Sequence, residues 1–567
     1  MMASATLPAR VSAVVQQKFS NCHHEMSSNG HVRGNDLHNR KVNMIERPQH
    51  HDDICHSPSK TFCVHNPATG EPIQPDFLES TPAQINAAAN QAARAADWMS
   101  ESSPDQRAQL LEAVADGMDA RRDDIVRRCI LETGYLPERV MGEFRRATGQ
   151  LRTFAGLTRE RYWDERQVAE GDPHREIAPG VIMPRPEMRR RLVPVGPVAV
   201  FGACNFPLAI SVVGNDFVSA IAVGCPVIVK SHPSHAGTCD LLGNVARDAV
   251  EAMQFPEGTF SLLHGNRPET SVALVQHPAV AAVGFTGSPQ GGRALAQAIL
   301  ARERPIPIFA ELGSTNPVFL TESALNDRLD EIAIGFAESL RFGNGHMCTK
   351  PGIVVVPEKM LAPFSDAVVK VMKQQPPLPL LSGSVADAFD RGVAQFRSNE
   401  KIDSIHEGEY EGEGPSSHGP WHRGPHLFTV DGATAMLPGD DSSSPNSGLL
   451  HGETFGPVSL VVRYRDEDEM LAIANQFEGS LTTTIHRGPD DESLVQRWLR
   501  IAERFAGRIV YNGWPTGMEI GPATQHGGPY PASLDGNSTS VGFASLRRFV
   551  RPVCYQNWPV DELPVWE

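Results

Sequence analysis

The chain has 567 residues, too many for one hydrophobic core, so two or three domains are expected. Apolar residues make up 40% and charged residues 21%, and the formal charge of −16 argues against nucleic acid or an anionic membrane surface as a partner. The nine cysteines are scattered without a CxxC pair, and no run of 18 apolar residues occurs. This reads as a reduced, intracellular chain with no zinc site and no membrane span.

Residues 1–60 carry His23-His24, His50-His51, many Asn and Ser, and little apolar periodicity. A histidine tract can hold metal, but a disordered polar extension is the reading adopted. Residues 1–24 lack acids and include Arg10 and Lys18, a sparse form of a mitochondrial presequence; a cytoplasmic location is the preferred expectation. Order begins near Thr61. Thr81-Pro82-Ala83-Gln84 and Ser103-Pro104-Asp105-Gln106 each offer a capping hydroxyl, Pro at the first helical position and Gln two residues on, which predicts two helix starts. A third helix is predicted over about Glu138 to Thr158, carrying Arg145, Arg146, Gln150 and Arg152. The stretch from Tyr162 to Val193 is charged and broken by prolines.

From Pro197 apolar runs at 198–203, 226–230, 260–263, 280–285, 306–310 and 317–320 alternate with helical stretches. Runs buried on both faces in a βα alternation predict an α/β fold with doubly wound parallel sheets. Four places in this half hold chemistry. Asn205 follows a buried strand pattern and precedes Phe206-Pro207, where an amide can meet a developing oxyanion. Lys230 ends the strand Pro226-Val227-Ile228-Val229, although a lone lysine at a strand end is also an ordinary solvated edge. Gly287-Ser288-Pro289-Gln290-Gly291-Gly292 follows a strand and opens a helix, the arrangement that binds pyrophosphate. Glu311 is a carboxylate in an apolar strand, costly unless it is paired or used as a base.

The stretch Arg341-Phe342-Gly343-Asn344-Gly345-His346-Met347-Cys348-Thr349-Lys350-Pro351-Gly352 sets a cysteine between a glycine-rich turn and an apolar run. A lone cysteine is more often a small buried hydrophobe, so the surrounding residues must carry the case for a nucleophile. The Gly-, Pro- and Ser-rich segment 405–450 is expected to be loops. After it, Glu453-Thr454-Phe455-Gly456-Pro457 places an acid beside an aromatic and a tight turn. The tail from Gly513 returns to short polar strands.

Taken together, Asn205-Phe206-Pro207, Glu311-Leu312-Gly313-Ser314, Gly345-His346-Met347-Cys348 and Glu453-Thr454-Phe455-Gly456-Pro457 resemble, in order, the four motifs of the aldehyde dehydrogenase superfamily. The resemblance runs from about Thr61 to about Trp558. It departs at Ser314, where the family has a second glycine, and at His346, where it has Gln. It implies a Rossmann-like NAD(P)-binding domain over 61–310, with an oligomerisation arm at about 160–195. A catalytic domain over 311–512 and a C-terminal oligomerisation region over 513–567 complete the expected layout, in a homodimer or homotetramer. It also implies that the Cys348 thiolate attacks an aldehyde, held by the Asn205 amide and the Cys348 N–H, and that Glu311 activates the water that hydrolyses the resulting thioester.

Gly287, Ser288, Gly292, Leu312, Glu453 and Phe455 would then hold the cofactor, with Lys230 on the adenosine ribose. NAD-preferring members carry Glu where this chain has Pro233, so NADP is favoured over NAD, with His232 and Lys230 near its phosphate. Pro194 to Gly202, Lys230 to His235, the His526-Gly527-Gly528-Pro529-Tyr530-Pro531 loop and Arg547 to Gln556 resemble the 2-oxoglutarate semialdehyde (2,5-dioxovalerate) dehydrogenases. In that branch Arg146, Gln150 and Phe206 would meet the substrate. A medium- or long-chain fatty aldehyde is the alternative substrate, and a non-catalytic homologue the remote one. A cysteine hydrolase would need a histidine paired with Cys348, and His346 is too close in sequence to supply it.

Overall fold

The alternating runs build two parallel sheets. The computed structural model describes residues 61–411, 419–438 and 448–563; the polar extension and the presequence-like segment lie outside them. Both anticipated helix starts are present with full capping boxes: Thr81 and Ser103 accept from the backbone N–H of Gln84 and Gln106, whose side chains bond back. The helix Pro137–Arg159 buries Phe144, Leu151 and Phe154, and packs on the helices Pro104–Ala120 and Asn215–Val223.

The first sheet has five parallel strands in the order Ile308–Glu311, Ala282–Thr286, Val198–Phe201, Val227–Lys230, Phe260–Leu263. In chain order this is 5-4-1-2-3, so the winding reverses between the first and fourth strands. Open α/β sheets bind ligands at the carboxyl ends of the strands beside such a reversal. The second sheet has seven strands. Its order is Asp403–Glu407, His426–Asp431, Val458–Tyr464, Ile353–Pro357, Val318–Leu320, Ser480–His486, Ala506–Tyr511, parallel except at the first pair. The runs at 306–310 and 317–320 therefore belong to different sheets. The chain passes from one to the other through Leu312 to Pro317.

Two expectations are corrected. The segment 405–450 contains a buried strand, His426–Asp431, inside the second sheet. Its apolar core, Leu427-Phe428, is short and flanked by Gly and Pro, so composition over a longer window hides it. The tail is only partly an arm. Val550–Gln556 pairs antiparallel with Met188–Pro194, which also carries Gln167–Ala169. Residues 526–549 instead turn inward. Leu312 N donates to Ala532 O (2.8 Å) and Leu534 N to Ala310 O (3.0 Å), extending the first sheet's edge at Glu311.

Candidate active site

Three consecutive left-handed residues, Gly343 (φ 61°), Asn344 (φ 59°) and Gly345 (φ 78°), form the turn before Cys348. Gly345 is backed by the Pro457 main chain with no space for a Cβ, so glycine is required there. Asn344 tolerates its backbone because its Nδ2 donates to Pro379 O at 2.8 Å. A second brace comes from Asn316, also left-handed (φ 47°). Its Nδ2 donates to Cys348 O (2.8 Å) and Lys350 O (3.0 Å), while its Oδ1 accepts from Thr482. The Cys348 turn is thereby tied to the segment that follows Glu311.

Asn205 is buried, and its Nδ2 donates to His346 O at 2.6 Å. A side-chain amide has two N–H groups, so the second is left for an oxyanion. The Asn205 carbonyl accepts from Arg139 Nη2 (2.7 Å) and Tyr135 Oη (3.3 Å), and the Arg139 guanidinium lies 4.1 Å over the Tyr135 ring. Glu143, one turn along, takes the N–H groups of Leu208 and Ala209 at 2.8 and 3.0 Å. The helix Pro137–Arg159 thus fixes the Asn205-Phe206-Pro207 segment from both ends. His346 is fully buried, its ring 5.2 Å from that of Phe455; burial pushes it down to about 3, so it is neutral.

Glu311 is the last residue of its strand and is buried beside Cys348. Burial alone would raise its carboxyl, but His526 and the Ser540 hydroxyl outweigh that and hold it below the ordinary range. Ser540 Oγ donates to Glu311 Oε2. His526 Nδ1 faces the same oxygen at 3.0 Å, an ion pair by distance rather than an aligned hydrogen bond. On its other side His526 Nε2 lies 3.4 Å from Cys348 Sγ. Burial would lower this imidazole; the Glu311 carboxylate and Cys348 sulfur raise it to about 10. The three donors lie within 4.8 Å of one another. The carboxylate and the sulfur, however, face opposite nitrogens of one ring, so they do not converge as metal ligands would.

The residues expected to hold the cofactor gather where the strands of the first sheet end. Ser288 caps the helix Pro289–Leu300, accepting from Gly291 N at 3.1 Å, and Gly287 N donates to Glu311 O. Leu312 lies against Gly292, and the Glu453 carboxylate closes over Gly313, where a side chain would displace it. Lys350 Nζ donates to Val458 O (2.7 Å) and Thr454 O (3.2 Å), joining the Glu453 segment to the Cys348 turn. Burial pushes Glu453 up to about 7 against the pull of Lys350, although its side chain keeps some exposure at the rim. Lys230 is buried at its strand end and pushed down to about 8. A helix start, a buried lysine and a carboxylate over a bare glycine fit a dinucleotide. His232 does not fit as a cation. It is held well below its ordinary value by burial and by His235 and Lys230. Its Nδ1 accepts from Ser234 N at 3.2 Å, leaving an Nε2–H as a neutral donor.

Beside Met347 a cavity of about 580 Å³ opens, lined in part by Arg139, Arg146, Phe206, Phe342 and Gly343. Arg146 donates to Met518 O at 3.2 Å, and its buried Nε has no partner. Gln150 is buried one turn away with neither amide atom partnered, but it is not part of this lining. Sequence reasoning missed His526 and Ser540 as site residues, and also Asn316 and Arg139.

A cysteine beside a carboxylate–imidazole pair and an amide, bordering a cradle that suits a dinucleotide, is a set of groups suited to an oxidoreductase that works through a covalent thiol adduct. The aldehyde dehydrogenase family profile matches residues 54–384 and 441–540, and the chain belongs to that family. It is an enzyme that oxidises aldehydes with NAD(P). It is 41% identical over 506 residues to alpha-ketoglutaric semialdehyde dehydrogenase 2 of Azospirillum brasilense, covering 89% of this chain and 93% of that one. It is 35% identical over 489 residues to alpha-ketoglutaric semialdehyde dehydrogenase of Acinetobacter baylyi, covering 86% and 89%. Among solved structures, 1-pyrroline-5-carboxylate dehydrogenase from Thermus with bound NAD superposes with a TM-score of 0.71 at 20% identity, over 88% of this chain and 90% of that one, a likeness of fold.

Proposed function

We propose that the chain oxidises 2-oxoglutarate semialdehyde to 2-oxoglutarate. The observation that carries this reading is Arg146, a part-buried guanidinium with an unpartnered Nε in the cavity beside Met347. A cation in such a place is costly unless an anion meets it, and a guanidinium suits a carboxylate. The relatives' names agree with this choice. Cys348 attacks the aldehyde carbon, and the Asn205 amide and the Cys348 N–H hold the oxygen. Bound NAD(P) supplies the two-electron acceptor, after which a cysteine thioester remains. The base for its hydrolysis comes from Glu311 and the histidine it holds. NADP is the favoured cofactor, since Pro233 stands where an acid would repel a 2′-phosphate and Lys230 and the His232 Nε2–H offer donors.

Arg146→Ala should lower kcat/KM for 2-oxoglutarate semialdehyde by about 2 kcal/mol, roughly 30-fold, and spare pentanal. Equal losses on both would make Arg146 a support of the fold. A native preference for the uncharged aldehyde would favour the second reading, a medium-chain aldehyde enzyme, to which Phe206, Phe342 and Leu378 in the cavity wall are suited. The protein is proposed to be a homodimer or homotetramer. The exposed Val168, Ile177, Val181, Ile182 and Met183 of the arm support this, and a monomer mass by light scattering would overturn it. A cytoplasmic location is proposed on its seven described cysteines, all free thiols. Among the described residues no helix is long and apolar enough to cross a membrane.

A further inference from the structure

The loop that follows Lys230 holds a second histidine, His235, fully buried where the helix Ala236–Ala252 begins. Its Nε2 lies 3.0 Å from Ala203 O, and its Nδ1 lies 3.2 Å from Cys239 Sγ. A carbonyl only accepts, so Nε2 carries a hydrogen whatever the charge on the ring. Ala203 is itself held, its N–H donating to Ile210 O at 2.8 Å. Both edges of the His235 ring are therefore tied. One face of that ring lies against His232, with centroids 5.3 Å apart and planes 21° from parallel. His232 keeps some exposure, and Ser234 N donates to its Nδ1 at 3.2 Å. The stack fixes the plane of the outer ring and the Ser234 bond fixes its rotation, which leaves the His232 Nε2–H a set direction. As a core residue His235 is complete with Ala203 O and Cys239; the stack on a partly exposed second imidazole is what remains to be explained.

The helix start beside this loop is closed to an anion. Gly237 N (2.9 Å), Thr238 N (2.7 Å) and Thr238 Oγ1 (2.7 Å) all donate to the buried carboxylate of Glu132. Two of the N–H groups that could meet a phosphate are thus taken, and they face a negative charge. Recognition of a phosphate at this loop is left to side chains, Lys230 at the strand end and His232 two residues on.

We infer that His235 is a specificity-determining residue of the cofactor site, a positioning residue that keeps the His232 Nε2–H as a pre-set donor for the 2′-phosphate of NADP. The inference rests on the reading that His232 and Lys230 meet that phosphate. His235 is buried behind His232 and acts through it. A ring already held in its binding orientation loses little freedom when the anion arrives, so more of the hydrogen bond appears as affinity. NAD, which has a hydroxyl at the same position, gains little from that donor.

The test is binding without aldehyde: NADP and NAD are each titrated calorimetrically into the full-length protein and its variants. His232→Leu should weaken NADP by at least about tenfold and NAD by less than about threefold, the loss of a hydrogen bond to a charged group. His235→Leu should do the same, although it leaves His232 in place. A general loosening of the loop would instead weaken both cofactors alike. With both substitutions present, NADP should bind within about threefold of His232→Leu alone, because a residue that acts only through His232 has nothing left to orient. Equal effects of His232→Leu on NADP and NAD would overturn the reading of His232 on which the inference rests. A selective loss in His232→Leu with none in His235→Leu would overturn the role of His235 and leave that reading standing. A further tenfold loss in the double variant would show that His235 acts independently, and would also overturn it. Should His235→Leu fail to fold, His235→Gln keeps a donor for Ala203 O but removes the ring face. A selective loss of NADP affinity there would support the inference, and unchanged affinity would overturn it.

Discussion

A carboxylate shut away from water is costly unless a positive group meets it, and at Glu311 that group is His526. The pair also makes stability depend on pH in a defined direction. Glu311 is held below its ordinary 4.5, so its contribution is present above that value and is lost as pH falls. His526 is raised from 6.5 to about 10, so its contribution is complete below pH 6.5 and disappears as pH rises through about 10. The melting temperature of native protein should therefore exceed that of His526→Gln most near pH 6.5, and the gap should narrow towards pH 10. A gap that stays constant over that range would mean the imidazolium is not what stabilises the fold. Cys348, Glu311 and Asn205 stood out in the sequence because each lies in a short motif, and the fold sets Glu311 near Cys348 and ties Asn205 to the same turn. His526 did not. Its sequence context, His526-Gly527-Gly528-Pro529, is an ordinary turn, and only the fold brings it across 178 positions to the sulfur.

Among the elements, the inward-turning tail is tied to the helix Asn215–Val223 by a buried ion pair, Arg548 with Asp216, both nearly inaccessible. Removing one member leaves a buried charge alone, so Asp216→Asn should destabilise the protein by about 3–5 kcal/mol. Replacing both, with Asp216→Leu and Arg548→Met, should recover part of that loss. Urea unfolding measures each, and a single-variant loss under about 1 kcal/mol would contradict the argument. The helix starts at Thr81 and Ser103 were legible since capping is written within four residues. The strand at His426–Asp431 was hidden by its Gly- and Pro-rich flanks. The tail's role was hidden for a different reason: polar, turn-rich sequence looks the same whether it faces solvent or lines a reaction centre.

For the whole molecule, the essential arrangement is that two parallel sheets bring their working ends together. Glu311 closes the edge strand of one sheet, and the Cys348 turn leads into the strand Ile353–Pro357 of the other. The sequence showed the alternation of strands and helices, and the resemblance set a domain boundary at 310/311, but not that the runs at 306–310 and 317–320 join different sheets. Between the two runs Asn316 takes a left-handed backbone, and its side chain bonds the Cys348 turn. The cofactor end of the molecule makes its own prediction: kcat/KM with NADP should equal or exceed that with NAD. A preference for NAD beyond about tenfold, or about 1.4 kcal/mol, would point to another acid at the ribose. Glu79, whose charge bears on Lys230, is then the residue to neutralise.

The covalent chemistry itself is open to one decisive measurement. Protein turning over 2-oxoglutarate semialdehyde with NADP is quenched in acid, digested and analysed by mass spectrometry. A 2-oxoglutaryl thioester should appear on the peptide that contains Cys348 and be absent from Cys348→Ala, which should also lose at least about a thousandfold in turnover. An adduct on Cys204 or Cys225, or steady NADPH formation by Cys348→Ala, would contradict it.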